Sequence, residues 1–227
     1  MRLQEKVRTI KLTMLALLGS GLFITGIARG QINFTNNANA AILDGNPVGL
    51  VSSISVSGLT NISSIQVTLD ITGGFNGDLY AYLVGPQGQL AVLLNRVGLS
   101  STNAFSYGDA GFNITLSSGA SNIHNYQDYG IPTGQLTGTW SPDGRNISPN
   151  SAPSVFDTAG TSANLDLFAG TVPNGDWTLF IADLASGGGQ STLVSWGLTI
   201  VTVPEPQTWM LLAGGFGALL AVRRFRK

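Results

Sequence analysis

The stretch Gly175–Val201, GDWTLFIADLASGGGQSTLVSWGLTIV, decides the fold. Trp177, Leu179 and Ile181 alternate with Thr178, Phe180 and Ala182, the period-two pattern of a strand with apolar side chains on both faces. Ser186-Gly187-Gly188-Gly189 follows, and its backbone freedom suits a reversal of the chain. A second run then places Val194, Trp196, Leu198 and Ile200 on one face, with Ser195, Gly197 and Thr199 on the other. Two such runs joined by a glycine turn predict an antiparallel hairpin. Each tryptophan, once buried, removes roughly 150–250 Å² from water, so the pair anchors a core.

Upstream the same period recurs. Ile54 and Val56 alternate with serines, and Ile65, Val67, Leu69 and Ile71 alternate with Ser64, Gln66, Thr68 and Asp70. Both segments predict strands with one buried face. Leu79–Val84 and Leu90–Leu94 are two more, joined by Gly85-Pro86-Gln87-Gly88 with Pro at i+1 and Gly at i+3 of a tight turn. Phe112–Leu116 reads as a strand, Leu165–Phe168 as a short one, and Ile32–Phe34 as the start of another before an Asn-rich loop. Residues 98–111, 121–134 and 141–160 are rich in Gly, Ser, Asn and Pro and read as loops. Outside the two ends no segment carries a helical period. The pattern predicts an all-β, antiparallel β-sandwich.

The charges are divided sharply along the chain. Of eleven basic residues only Arg96 and Arg145 lie between positions 31 and 203, and this segment holds ten acids, every one an Asp. The middle therefore carries a formal −8, and no basic surface exists there to release counterions from a nucleic acid. The chain has no cysteine, which excludes a disulfide framework and a thiolate nucleophile. Burial alone must stabilise the core, and residues 31–203 are enough for that.

The ends read as targeting signals. Residues 1–30 start basic, run apolar from Leu12 to Ile27 and end Ala28-Arg29-Gly30. Small residues at the last and third-last positions predict an N-terminal signal helix cut by signal peptidase between Gly30 and Gln31. An uncleaved anchor is the alternative, since Arg29 beside the site is unusual; either way the chain is exported. At the other end Pro204-Glu205-Pro206 precedes an apolar stretch, Trp209–Val222, and then Arg223-Arg224-Phe225-Arg226-Lys227. As a helix the stretch spans about 21 Å, short of the roughly 30 Å hydrocarbon core, so a short transmembrane helix is expected at Trp209–Val222 within a C-terminal segment over 204–227. The trailing positive charge stays on the cytoplasmic side and leaves the acidic domain outside.

This tripartite tail resembles the PEP-CTERM sorting signal of Gram-negative bacteria. The resemblance implies that Pro204, Glu205 and Pro206 are read by an exosortase-type membrane enzyme. It implies a membrane-anchored precursor released to the cell envelope or exterior, often where exopolysaccharide is made.

A second resemblance covers the middle, from about Ile54 to Val201. Gly77-Asp78-Leu79, Leu83-Val84-Gly85-Pro86-Gln87-Gly88, Leu93 and Arg96 look like the GDL…L.SP.GT…L…R signature of the P domain (Homo B domain) of proprotein convertases. Gly138-Thr139-Trp140-Ser141-Pro142 is similar to its "G.Y.P" segment, and Leu165–Gly170 to its "L..F.G". Gly175-Asp176-Trp177-Thr178-Leu179 through Asp183, then Leu193 through Trp196 and Leu198, resemble its "G.W.L.V.D…G.L..W.L". The family differs in usually having Ser at Gly85, often Thr at Gln89, and a basic or aromatic residue at Asn76. The resemblance implies an eight-stranded jelly roll of galactose-binding-domain-like architecture, normally attached behind a subtilisin-like serine protease that it stabilises.

That protease is missing from this sequence. A Ser-His-Asp triad needs a histidine base. His124, the one histidine, lies in the loop segment Asn122-Ile123-His124-Asn125 without a nucleophile motif nearby, so it reads as a solvated loop residue. One His and no Cys disfavour zinc. The all-Asp acid pool makes calcium the more reasonable ion, with Asp78 and Asp183 as candidate ligands and turn-forming acceptors as the alternative role. The expected whole is an exported, non-catalytic P-domain-like binding or structural module of the cell envelope. Two further readings stay open. One is a lectin-like domain whose Tyr80, Tyr82 or Trp140 stacks on exopolysaccharide; the other is an accessory to a separate serine-type endopeptidase.

Overall fold

The computed structural model describes residues 30–203 together with the single positions Gly215 and Arg223. The expected signal helix, the short transmembrane helix and Pro204-Glu205-Pro206 lie outside the described residues. Among the described residues no helix is long and apolar enough to cross a membrane. Among the described residues there are ten strands: β1 (Gln31–Asn36), β2 (Ala40–Ile42), β3 (Asn46–Val56), β4 (Ile62–Thr72) and β5 (Leu79–Val84), then β6 (Leu90–Asn95), β7 (Phe112–Ser117), β8 (Leu136–Trp140), β9 (Gly175–Asp183) and β10 (Ser191–Thr202). They make two sheets, one in the order β1-β10-β4-β7-β8 with β2 also on β10, the other β3-β9-β5-β6.

The sheets face each other because every long strand has one apolar face. Val67, Leu69, Ile71, Ile114, Leu116, Trp196 and Leu198 come from the first sheet, and Leu79, Leu83, Trp177, Leu179 and Ile181 from the second; all are buried in one cluster. This is the expected two-layer sandwich, its core closed by interdigitating side chains.

The expected hairpin over Gly175–Val201 is not formed. β9 pairs with β3 and β5 in one sheet, whereas β10 pairs with β1, β2 and β4 in the other. The glycine segment carries the chain from layer to layer, with positive φ at Gly187, Gly188 and Gly189. An arch between sheets and a hairpin within one need the same alternation and the same flexible link, so the period could not separate them. Trp177 and Trp196 therefore enter the core from opposite sides. The Trp196 indole ties the layers directly, donating from Nε1 to Ser52 Oγ of β3 at 2.8 Å.

One position in the second run is also reassigned. The register on β4 steps from Leu193↔Ile71 to Ser195↔Asp70, which leaves Val194 without a partner, as in a β-bulge. Leu193 rather than Val194 then shares the buried face with Trp196. A further departure is β8, which runs parallel to β7 in an otherwise antiparallel fold. Residues 118–135 cross back between them, long enough for the connection that parallel strands require.

Leu165–Phe168 forms a 3-10 turn, not a strand. Asn164 starts it by accepting a hydrogen bond from the Asp166 N–H at 2.9 Å, the local side-chain capping that competes with extended backbone. Leu165 and Phe168 are buried, and the Phe168 ring meets Trp177 edge-on at 4.8 Å. The loops also contain short helical pieces. Ile123–Tyr129 is capped by the Asn122 side chain, and α1 (Pro153–Thr158) begins with Pro at its first turn. Both are too short to print a period in the sequence.

Strand directions give the sandwich two unlike ends. At one, Thr202 N–H donates to the Gly30 carbonyl and Val203 N–H to the Asn61 carbonyl, so both ends of the domain leave side by side. At the other lie the segments around Asp44, Asp78, Asp109 and Asp183. They are held together by Asn76 N–H to the Asp109 carbonyl, Gly77 N–H to the Tyr107 carbonyl and Leu184 N–H to the Asp78 carbonyl.

Candidate functional site

Asn76-Gly77-Asp78 makes a single 3-10 turn that hands over to β5 at Leu79. Gly77 is there because the neighbouring backbone leaves no room. A Cβ at this position would lie 2.5 Å from the Tyr107 nitrogen and overlap the Ser106 side chain. Asn76 locks the same turn. Its Oδ1 accepts from the Gly111 N–H at 2.8 Å, while its Nδ2 donates to the Gly111 carbonyl and to the Tyr126 hydroxyl. Tyr126 in turn donates to Asp109 at 2.7 Å.

This frame places Asp78 beside Asp183, because Asp183 ends β9 directly opposite Leu79. The two sequence candidates are thus brought together from distant segments. Asp183 is fully buried and its Oδ1 accepts from the N–H groups of Gly45 at 3.4 Å and Ala185 at 3.2 Å. Its Oδ2, also buried, has no hydrogen-bond partner. The Arg96 guanidinium comes within 3.9 Å of Asp78 Oδ1, and Arg96 Nε donates to the Gly77 carbonyl. Asp44 is close by and accepts from the Gly187 N–H at 3.0 Å.

Burial pushes the Asp78 carboxyl up to about 6, the nearby Asp183 charge adds to this, and Arg96 opposes it. Asp183 is raised as well, chiefly by burial, with the two backbone N–H groups pulling against it. Two carboxylates in one desolvated place favour the proton or a cation over a pair of bare charges. Among the described residues no group of three or more His, Cys, Asp or Glu side chains is placed to hold a metal ion.

His124 is not solvated. It is buried, with Nδ1 2.7 Å from Asp143 Oδ2 and Nε2 3.0 Å from the Leu99 carbonyl. Each ring nitrogen thus faces an acceptor, and the ring stacks on Phe156 of α1 at 5.9 Å. Asp143 is itself fully buried, and its Oδ1 accepts from Arg145 Nη1 at 3.2 Å. Arg145 Nε donates to the Phe156 carbonyl. This His–Asp–Arg network pins α1 and the 141–160 loop against β6, whose Val92 and Leu93 carbonyls accept from Gly144 and Asp143. Sequence reasoning missed it. The available signal was that the lone histidine and the pair Asp143 and Arg145 lie in successive polar loops, on either side of β8. A cleft of about 360 Å³ opens beside it, lined in part by Ser100, Thr102, Asp128 and Asp157. The hydrogen at Nε2 is directed to a backbone carbonyl, not to a hydroxyl.

The aromatic candidates pack against protein. Tyr82 stacks on Phe180 at 4.8 Å, Tyr80 meets Phe180 edge-on, and both tyrosines are half-buried on the outer face of β5. Trp140 sits between Tyr126 and Tyr129 and donates its indole hydrogen to the Thr137 carbonyl. Gln31 opens β1 on the surface, and Gly30 precedes it.

No family model matches the chain, and no curated protein matches it. Among solved structures it is similar to the serine protease of Aeromonas sobria in complex with its chaperone, at 15% identity and a TM-score of 0.45. The match covers 78% of this chain and 27% of that one. It is similar also to the serine protease of Aeromonas sobria in a second structure, at 16% identity and a TM-score of 0.43, over 83% of this chain and 29% of the other. The chain spans less than a third of the length of either solved chain.

Proposed function

We propose that this chain is an exported, non-catalytic module, a P-domain-like jelly roll sorted to the cell envelope, where it serves as a binding or structural unit. The observation that carries the reading is where its motif residues fall. Gly77 fills a place with no room for a side chain, Leu83, Leu93, Leu165, Phe168, Trp177, Leu179, Trp196 and Leu198 are buried in the core, and Asp78 and Asp183 meet at one end. Residues that resemble one family in order along the chain also hold one another in space.

The absence of catalysis is part of the proposal and is supported by the engagement of His124. Its two nitrogens are taken by Asp143 and the Leu99 carbonyl, which leaves the ring without the base role that nucleophile activation needs. The tail supports sorting. In sequence, Pro204-Glu205-Pro206 is followed by a glycine-containing apolar stretch and a basic end, the order of features that a processing enzyme at the membrane would read. Signal peptidase and an exosortase-type enzyme are the partners this order of events requires.

The test is fractionation of the native cells with intact-mass measurement of the mature protein, followed by a peptidase assay on the purified material. The reading expects a chain beginning at Gln31 and ending beside Pro204-Glu205-Pro206, in the envelope or outside, with no turnover of general peptide substrates. A cytoplasmic chain overturns export, and turnover that disappears in His124→Ala overturns the non-catalytic role.

A further inference from the structure

We infer that Asp183 and Asp78 form a binding site for one calcium-sized divalent cation at the end of the sandwich where Asp44, Asp78 and Asp183 converge. Asp183 Oδ2 is buried and has no hydrogen-bond partner, and buried side-chain oxygens without partners are rare enough to need a cause. Protonating the group removes one unit of negative charge and leaves the carboxylates of Asp44 and Asp78 beside it. A bound water gives that oxygen one hydrogen bond and leaves the charge where it was.

The charge around this atom points to an ion. The charged groups facing it are the carboxylates of Asp44 and Asp78 and the guanidinium of Arg96. Together with Asp183 these are three negative charges against one positive, an excess of two that a divalent ion neutralises. Arg96 is already engaged, reaching Asp78 Oδ1 at 3.9 Å and the Gly77 carbonyl through Nε, so it does not cover Asp183 Oδ2. Every donor here is an oxygen, and the chain's one histidine lies elsewhere, paired with Asp143. Oxygen donors select hard cations, and calcium accepts irregular oxygen coordination, whereas magnesium demands near-octahedral order. This inference is independent of export and sorting.

The experiment uses the purified full chain, stripped with a chelator and scanned by calorimetry with calcium chloride or magnesium chloride added. Calcium at saturation is expected to raise Tm by about 3 °C or more, and magnesium by less. The shift is expected to vanish in Asp183→Asn and Asp78→Asn and to persist in Asp166→Asn, an exposed residue outside the cluster. If Asp183→Asn does not fold, Asp78→Asn decides, with titration calorimetry reading one site per chain in the native protein and none in the variant. No calcium shift in the native chain, or one that survives in the cluster variants, overturns the site. An equal shift with magnesium overturns its assignment to calcium.

Discussion

Replacing Trp196 probes the contact between the two sheets where it is most concentrated. The side chain is fully buried in β10 and reaches across the core to Ser52 of β3, donating at 2.8 Å. Truncation to alanine removes the ring from the core and leaves a cavity, a change that costs about 3–5 kcal/mol. Trp196→Phe keeps most of the volume but deletes the inter-sheet hydrogen bond, for about 1 kcal/mol, and leaves a smaller void, so about 2–3 kcal/mol in all is expected. For a domain of this size the alanine variant should melt about 6–20 °C lower. Urea unfolding followed by circular dichroism measures these losses, and an unchanged m-value shows that the same surface is exposed in each case. The double variant with Ser52→Ala separates the hydrogen bond from the packing, because residues sharing one bond are not additive. A loss below about 1 kcal/mol for Trp196→Ala would refute the placement of this residue between the sheets.

Gly77→Ala forces the Asn76–Asp78 turn away from the Tyr107 backbone and should destabilise by about 1–3 kcal/mol, read by urea unfolding; a neutral effect would mean the turn has room. His124→Ala leaves Asp143 buried with one partner fewer and should cost about 1.5–3 kcal/mol by the same assay. An unchanged midpoint would place the histidine back in solvent. Asp78 supplies a pH dependence of defined sign. Its folded value of about 6 lies above the ordinary 3.8, so between these values the folded chain holds the proton more tightly. Stability is therefore lost as pH rises through that window and regained as pH falls. In a chelator, Asp78→Asn should exceed the native chain in stability at pH 7 and lose the advantage towards pH 4. A difference that does not vary with pH would refute the assignment.

Strands were legible wherever one face is apolar and the other polar, which is why β4, β5, β7 and both Trp-bearing runs stand where their period predicts them. Sheet membership was not. β9 and β10 show the same alternation whether they pair with each other or face each other, and only the partners elsewhere in the chain, β4 for one and β5 for the other, decide between these. The bulge at Val194 was hidden because valine fits either face of a strand. Asn164 and Asn122 redirect the backbone through local side-chain caps that leave no periodic trace, so the turns at Leu165–Phe168 and Ile123–Tyr129 were unread. At the acidic end, the motif spacing picked out Asp78 and Asp183, but the unpartnered oxygen and the intervening Arg96 exist only in three dimensions. His124 shows the reverse difficulty. Its polar neighbours in sequence suggested solvent, and the partner that buries it, Asp143, belongs to the next loop segment.

Residues 31–203 carry both sheets and should fold as one self-contained β-module. Far-UV circular dichroism of that fragment through a urea titration tests this most directly. A β-type spectrum with a single cooperative transition at the same midpoint as the full chain is the predicted result. Substantial helix in the folded fragment, or separate transitions for the two sheets, would contradict it.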